Sequence, residues 1–377
     1  MKQVLVISDV PVFKVNAGNR KCIKEYCDVL KELGANVTML LISNHNTDKN
    51  DIKETESYFG KENFILYKSN FVEEVIHSFI MHFRKYVSKN NYRIDDLCHI
   101  NILYFIRKTT QKKHFDSVIV NYLYYSKILD YCKTKIKALF VHDDYIFNNI
   151  RFNRNYFSLM PNDEAKGLQR APFILAIQEN EAILYNYLAP KSSVLCVYSP
   201  FKYIKQKINN NNNILFFSGC NAWNIEGITF FIDKVIPLIK NQFNLLIGGK
   251  ICEILKKKTL ASNIILCGVY DNPNTFYQQG DIVINPVFNG SGLKIKTFEA
   301  LAYGKITVVH KHSSIGIYKK ESSPLFIADN EEDFAKILDK ILSYGVDRKL
   351  YQEQAKRYID DYNFHIIMQY KKILGTE

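Results

Sequence analysis

The chain opens on a short run, Lys2–Ser8 (KQVLVIS), that is apolar on both sides, and this narrows the folds open to it. Such a strand has to be covered on both faces, the condition of a central strand in a parallel sheet. A loop with Pro11, Gly18 and Asn19 follows, then a helical pattern over Cys22–Leu33 stopped by Gly34, then a second apolar run, Asn36–Ile42 (NVTMLLI). Strand, loop, helix, glycine, strand is a βαβ unit, and repetition of that unit builds a doubly wound sheet. Ligands of such sheets bind at the carboxyl ends of the strands, which makes the Val10–Arg20 loop a rim. The dinucleotide fingerprint Gly-x-Gly-x-x-Gly is absent, which argues against a dinucleotide oxidoreductase.

Further strands are expected at Phe115–Asn121, at Ala138–Val141, within Ala171–Gln178 and at Val194–Tyr198. At 377 residues the chain is too long for one small core. The break falls at Phe201–Asn213 (FKYIKQKINNNNN), whose five asparagines read as a linker or flexible loop. A second βα series then begins: Ile214–Ser218, a loop with the lone tryptophan Trp223, a helix over Ile228–Lys240, and strands at Asn244–Ile247, Asn263–Cys267, Asp281–Asn285, Thr307–His310 and Pro324–Ile327. Helices are expected at Glu331–Leu342 and over most of Tyr351–Leu374. The organisation is therefore α/β, with a first domain over 1–200, a linker at 201–213, a second domain over 214–360 and a final helix at 361–377.

Phe71–Val87 carries an apolar stripe at helical spacing, followed by Arg84, Lys85 and Lys89. Glu73 and Glu74 on its polar face favour a helix covering a sheet over a membrane-surface helix. The net charge of +12 suits anionic lipid, a diphosphate or nucleic acid, and with no nucleic-acid motif present nucleic acid ranks last and is not expected. Eight scattered cysteines without a Cys-x-x-Cys pair read as free thiols, giving neither a disulfide frame nor a zinc site. No apolar run approaches the roughly 20 residues of a membrane span, and the apolar N-terminal stretch is too short for a signal peptide. A cytoplasmic protein is the default expectation, with peripheral attachment to the inner face of the membrane left open.

The stretch that carries chemistry is Asn285–Lys305 (NPVFNGSGLKIKTFEALAYGK). A strand runs through a loop holding Gly290 and Gly292 into a helix, which aims unpaired backbone N–H groups at an anion. Glycine lets the backbone turn and approach a phosphate closely. Lys294 and Lys296 add positive charge, and Glu299 follows Lys296 by three positions on the same helical face. An ionised carboxylate only accepts hydrogen bonds, which suits a ribose diol. The competing reading is an ordinary tight connection with solvated lysines and a solvated glutamate.

The run GSGLKIKTFEALAYGK resembles the donor-site signature of the group-one glycosyltransferases, family four, in the variant with a glycine-rich loop followed by Lys-x-x-Glu-Ala. The resemblance implies the GT-B architecture, two Rossmann-like domains facing each other across a deep cleft, with the last helix crossing back to the first domain. It implies transfer of a sugar, with retention, from a nucleotide-diphosphate donor to a polysaccharide, lipid-linked or other glycan acceptor, with no cofactor and no obligatory metal. By the same resemblance the amides of Gly290, Ser291, Gly292 and Leu293, with Lys294 and Lys296, hold the diphosphate, and Glu299 holds the ribose. Gly219 and Lys250 lie beside the diphosphate, and Val269 and Tyr270 meet the base. Gly18 and Asn19 approach the donor's phosphate, and His142 faces the transferred sugar or its acceptor. His142, Lys296 and Glu299 are thus the expected catalytic residues. Asp143 and Asp144 mimic the metal-binding acidic pair of the other glycosyltransferase fold and are read as helix-cap or loop acids. There is one departure: relatives carry a glutamate eight positions before Glu299, where this chain has Ser291. That puts the contacts to the donor sugar in doubt and keeps two alternatives open, a nucleotide-sugar epimerase of the same fold and a non-catalytic sugar-nucleotide-binding partner subunit.

Overall fold

The computed structural model describes residues 1–14, 18–89, 91–152, 159–290, 292–343 and 345–376, with the backbone alone at 147, 148, 151 and 152. It divides into two compact units, one of Met1–Pro200 with His365–Glu377 and one of Phe201–Phe364.

In the first unit seven parallel strands form one sheet: β1 (Gln3–Ser8), β2 (Asn36–Ser43), β3 (Phe64–Lys68), β4 (Ser117–Asn121), β5 (Ile136–Val141), β6 (Phe173–Ala176) and β7 (Ser193–Cys196). Their order is β3-β2-β1-β4-β5-β6-β7. The direction of winding reverses between β1 and β4, and that reversal opens a crevice beyond their carboxyl ends. Val4 to Ile7 are wholly buried, as a central strand requires. Residues from His365 onward belong to this unit, with His365 bonded to the Cys196 carbonyl at 3.2 Å and the Tyr370 ring stacked on Tyr26.

The second unit repeats the design with β8 (Asn213–Phe217), β9 (Asn244–Gly248), β10 (Ile264–Gly268), β11 (Ile282–Asn285), β12 (Ile306–His310) and β13 (Phe326–Ala328). All are parallel, in the order β10-β9-β8-β11-β12-β13. Its reversal lies between β8 and β11. The asparagine run leads into β8 and is hydrogen-bonded along its length. The backbone N–H groups of Asn209 and Asn210 donate to Asp281 at 3.0 and 2.8 Å, and the side chains of Asn211, Asn212 and Asn213 donate to carbonyls of Gln279, Gln242 and Gln279. Asp281 also takes a buried ion pair from Arg348 at 2.6 Å. Side-chain amides capture backbone carbonyls where an apolar residue would have packed.

One helix overturns its expected role. Phe71–Val87 is helical and capped by a reciprocal Asn70–Glu73 box, but none of its residues is buried. Its polar side leans on the unit. Arg84 pairs with Asp96, His99 bonds the Glu73 carbonyl, and Glu74 meets Ser69 and His45. Its apolar side faces out, with Phe79 73% and Tyr86 79% exposed. Periodicity finds a stripe but not the direction in which it points.

Candidate functional site

The reversal point of the second sheet is built from the two loops that leave β8 and β11. After β8 come Ser218 and Gly219, then the Ala222–Phe230 helix, whose N-cap Asn221 accepts from the Asn224 N–H. The Gly219 carbonyl is fixed by Asn224 at 2.9 Å. After β11 the chain runs from Pro286 through Gly290 and Gly292 into the Ile295–Ala302 helix. Gly290 and Gly292 have φ of 109° and 79°, the left-handed region that glycine enters without strain. A Cβ at Gly219 or at Gly292 would meet no atom within 4 Å, so open space stands in front of both.

The loop is held from behind. Asn285, buried at the end of β11, donates to Thr297 at 3.0 Å, and Thr297 in turn donates to the Ser313 carbonyl. Ser313 donates to the Val287 carbonyl at 2.6 Å. The Gly290 carbonyl lies 2.9 Å from His312 Nε2 and accepts from Lys294 Nζ at 3.3 Å. On the other side Asn289 donates to Glu226 at 3.0 Å, and a Cβ at Gly227 would come within 2.9 Å of Val287 Cα. Loop and helix therefore approach as closely as a missing side chain allows.

The Ile295–Ala302 helix has neither a side-chain N-cap nor an acidic residue in its first turn. The Ile295 and Thr297 N–H groups already donate to the Leu293 and Lys294 carbonyls, both at 2.9 Å, so what the uncapped N-terminus offers an anion is chiefly the positive end of the helix dipole beside open space. Lys296 is half-buried in that first turn. Burial lowers its pKa, opposed by the charge of Glu299. Glu299 is half-buried one turn on, and its Oε2 accepts from the buried Tyr277 hydroxyl at 3.0 Å. Tyr277 is itself held by stacking on Tyr303 at 4.3 Å, so the carboxylate has one oriented oxygen.

The neighbouring strand ends supply the other expected residues. Gly249, directly after β9, has φ of 97°, and a Cβ there would stand 2.2 Å from the Ser218 carbonyl oxygen. Lys250 follows it, exposed. After β10, Val269 is exposed, whereas the Tyr270 ring packs edge-on against Phe276 and its hydroxyl accepts from Gln279 at 2.9 Å. Ser291 lies outside the described residues.

The first unit gathers a separate group at its own reversal point. Asn121 ends β4. Its amide nitrogen donates to the Ile7 carbonyl at 2.9 Å, which turns its oxygen toward His142 Nε2, also 2.9 Å away. Burial depresses the His142 pKa to about 3, so the ring is neutral. A neutral ring that donates from Nε2 has its lone pair at Nδ1. Tyr122, with a left-handed φ of 71°, lays its ring 4.5 Å from that of His142 and accepts from Asn19 at 3.0 Å. Asn19 and His142 thus meet through Tyr122, and Gly18 begins the Gly18–Glu32 helix beside them in sequence, with no atom within 4 Å of a would-be Cβ. Asp9, at the end of β1, accepts from Tyr124 at 3.2 Å, and burial raises its pKa to about 6. Asp9, Asn121, Tyr122 and His312 escaped the sequence reading. Their places at strand ends were the available signal, but their partners are far away in the chain. Asp143 and Asp144 directly precede the Tyr145–Phe152 helix, at whose start buried Glu164 accepts from the Tyr145 and Ile146 N–H groups at 3.1 and 2.9 Å.

The two sheets define an α/β protein of the two-domain GT-B class. Solved structures with this fold include Alr3699/HepE of Anabaena, in complex with UDP (12% identity, 100% of this chain and 99% of that one, TM-score 0.68), and a glycosyltransferase from Rickettsia africae (17% identity, 100% and 99%, TM-score 0.62). These identities establish the fold alone. The family model for glycosyl transferases group 1 matches residues 211–344. A curated relative is an uncharacterized 44.6 kDa protein in the cps region of Klebsiella pneumoniae, 30% identical over 152 residues. That match spans 37% of this chain and 39% of the relative's length.

Proposed function

We propose that the chain is a glycosyltransferase that moves a sugar from a nucleotide-diphosphate donor to a glycan or lipid-linked acceptor, with retention as the family resemblance implies. The observation that carries the reading is the Gly290–Glu299 segment. It is a left-handed glycine loop and an uncapped helix start at the reversal point of the second sheet, with a lysine and an oriented carboxylate one turn apart. Amides of the loop and Lys296 would stabilise the charge that builds on the leaving diphosphate, an interaction worth on the order of 2–4 kcal/mol of activation free energy in comparable sites. Glu299 would take the ribose hydroxyls on the oxygen geometry that Tyr277 fixes, and so position the donor. Gly219, Gly249 and Lys250 would complete the diphosphate side, and Val269 would meet the base. His142 would hold the transferred sugar or its acceptor through Nδ1. No metal or cofactor enters this scheme. The UDP complex of the Anabaena structure and the cps-region origin of the Klebsiella relative support a nucleotide donor and a glycan acceptor.

The test is thermal melting with UDP, GDP, ADP and their sugars, followed by turnover assays. A ligand at a hundredfold excess over its Kd stabilises by about 2.7 kcal/mol. One nucleotide should raise the melting temperature, and Glu299→Ala should remove that rise while leaving the unliganded melt in place. Transfer should require an acceptor. Conversion of the sugar nucleotide without acceptor would indicate an epimerase, and binding without turnover a partner subunit; either result overturns the proposal.

A further inference from the structure

We infer that the Phe71–Val87 helix is a membrane-surface anchor that beds its apolar side into the interface of an anionic bilayer. On a helical projection at roughly 100° per residue, nine apolar residues lie within one half of the circumference, from Phe71 through Phe79 to Ile80, with His82 as the polar residue among them and Met81 on the other side. The opposite half holds Glu73, His77, Arg84 and Lys85. In a helix that covers a core the apolar half is the hidden one. Here it is the outer half, and Phe71, Phe79, Phe83, Tyr86 and Val87 are all more than 60% exposed. The inner half makes the attachments to the unit through Arg84–Asp96, His99 to the Glu73 carbonyl and the Glu74 contacts. The helix cannot roll its apolar side inward without giving up that set. An outward apolar surface of this size on a capped helix marks an interaction face.

Charge decides the occupant. Residues 68–113 hold nine Lys or Arg and four Asp or Glu. All four acids are taken by neighbours: Glu73 by the Asn70 cap, Glu74 by His45 and Ser69, Asp95 by Lys166 and Arg170, and Asp96 by Arg84. The cations Lys89, Arg93, Arg107, Lys108 and Lys112 are exposed. The adjoining Ile100–Lys112 helix adds exposed Ile100 and Tyr104 on the same face as Lys108, four positions apart in each step. An apolar, aromatic-rich half-cylinder beside uncompensated cations is what an interfacial helix on anionic lipid requires. A second copy of the chain would set these cations against each other. No helix among the described residues is long and apolar enough to cross a membrane, so the contact would lie on the surface of the bilayer.

The experiment is co-sedimentation of the full chain, without nucleotide, with phosphatidylcholine vesicles and with vesicles containing about a third phosphatidylglycerol. Binding to the anionic vesicles should be at least about tenfold stronger than to the neutral ones and should weaken in salt of about 0.5 M. The pair Phe79→Glu with Phe83→Glu should lower binding by at least about tenfold, with the melting temperature unchanged because both side chains are exposed. The triple change Arg107→Glu, Lys108→Glu, Lys112→Glu should remove most of the preference for anionic vesicles. The proposal is overturned by no binding to anionic vesicles, by binding that the phenylalanine pair leaves intact, or by a lipid-free dimer that the same pair dissociates. The outcome does not depend on the sugar-nucleotide reading, because no nucleotide is present.

Discussion

His142 is placed to accept a hydrogen bond at Nδ1 while staying uncharged near neutral pH. The Asn121 amide holds it so by presenting oxygen to Nε2. Asn121→Asp replaces that amide with a carboxylate, which favours the imidazolium. The His142 pKa, followed by NMR, should then rise from its depressed value of about 3; an unchanged titration would remove Asn121 as the positioning residue. Linkage gives the sign of the stability effect. A histidine whose folded pKa lies below its unfolded value of about 6.5 leaves the unfolded chain binding more protons, so its contribution is complete above that value and falls as pH drops toward 3. Glu181 works in the opposite direction. Burial raises its pKa to about 8, helped by Asp144 and Asp143 against the hydrogen bond from Gln178. The fold holds the proton there, so stability is lost as pH rises from about 4.5 to 8. Glu181→Gln should therefore be more stabilising at pH 8.5 than at pH 5 in urea unfolding, about neutral at the lower value; an equal effect at both would deny the buried proton. At this scale the sequence disclosed the residues that belong to a local motif, Gly290, Gly292, Lys296 and Glu299. It did not disclose Tyr122 or His312, whose positions come from chain segments that meet only after folding: Tyr122 reaches back to Asn19 over 103 positions.

Among the elements, every strand but one was legible. β1, β2, β4 and all six strands of the second sheet stand within a few residues of their expected places. β3 (FILYK), with only Tyr67 buried, lacks the two-sided signature and went unread. The Phe71–Val87 helix was legible as a helix, but its direction was set by Arg84, His99 and Glu74, contacts invisible to periodicity. The asparagine run shows how composition misleads when a partner acid is distant. Asp281 gathers two of its backbone N–H groups and the buried Arg348. Removing one member of a buried ion pair leaves an uncompensated charge and costs about 3–5 kcal/mol. Asp281→Asn should lower the unfolding free energy by an amount of that order in urea melts, and a loss below about 1 kcal/mol would show the pair to be solvated.

For the molecule as a whole, two sheets of the same winding place one reversal point in each unit, and among the described residues the left-handed glycine loop stands at the second. Hydrogen exchange on the full chain can separate them. A bound nucleoside diphosphate should slow exchange in peptides covering 218–224 and 286–300 while leaving 71–87 unchanged; protection confined to the first unit would move the nucleotide away from the second sheet. The class of fold was readable because the βα rhythm is local, whereas the way the chain is shared between units was a matter of distant contacts. Residues 365–376 return to the unit that the first two hundred began, where Tyr370 and Ile373 are almost wholly enclosed. On a ribosome adding about 5–20 residues per second, the opening half must therefore wait on the order of ten seconds or more, while the whole of the second unit is made, before the aromatic plug against Tyr26 arrives. Newly emerged chains would expose that unfilled seam to chaperones, and the domain translated later would be the first to close.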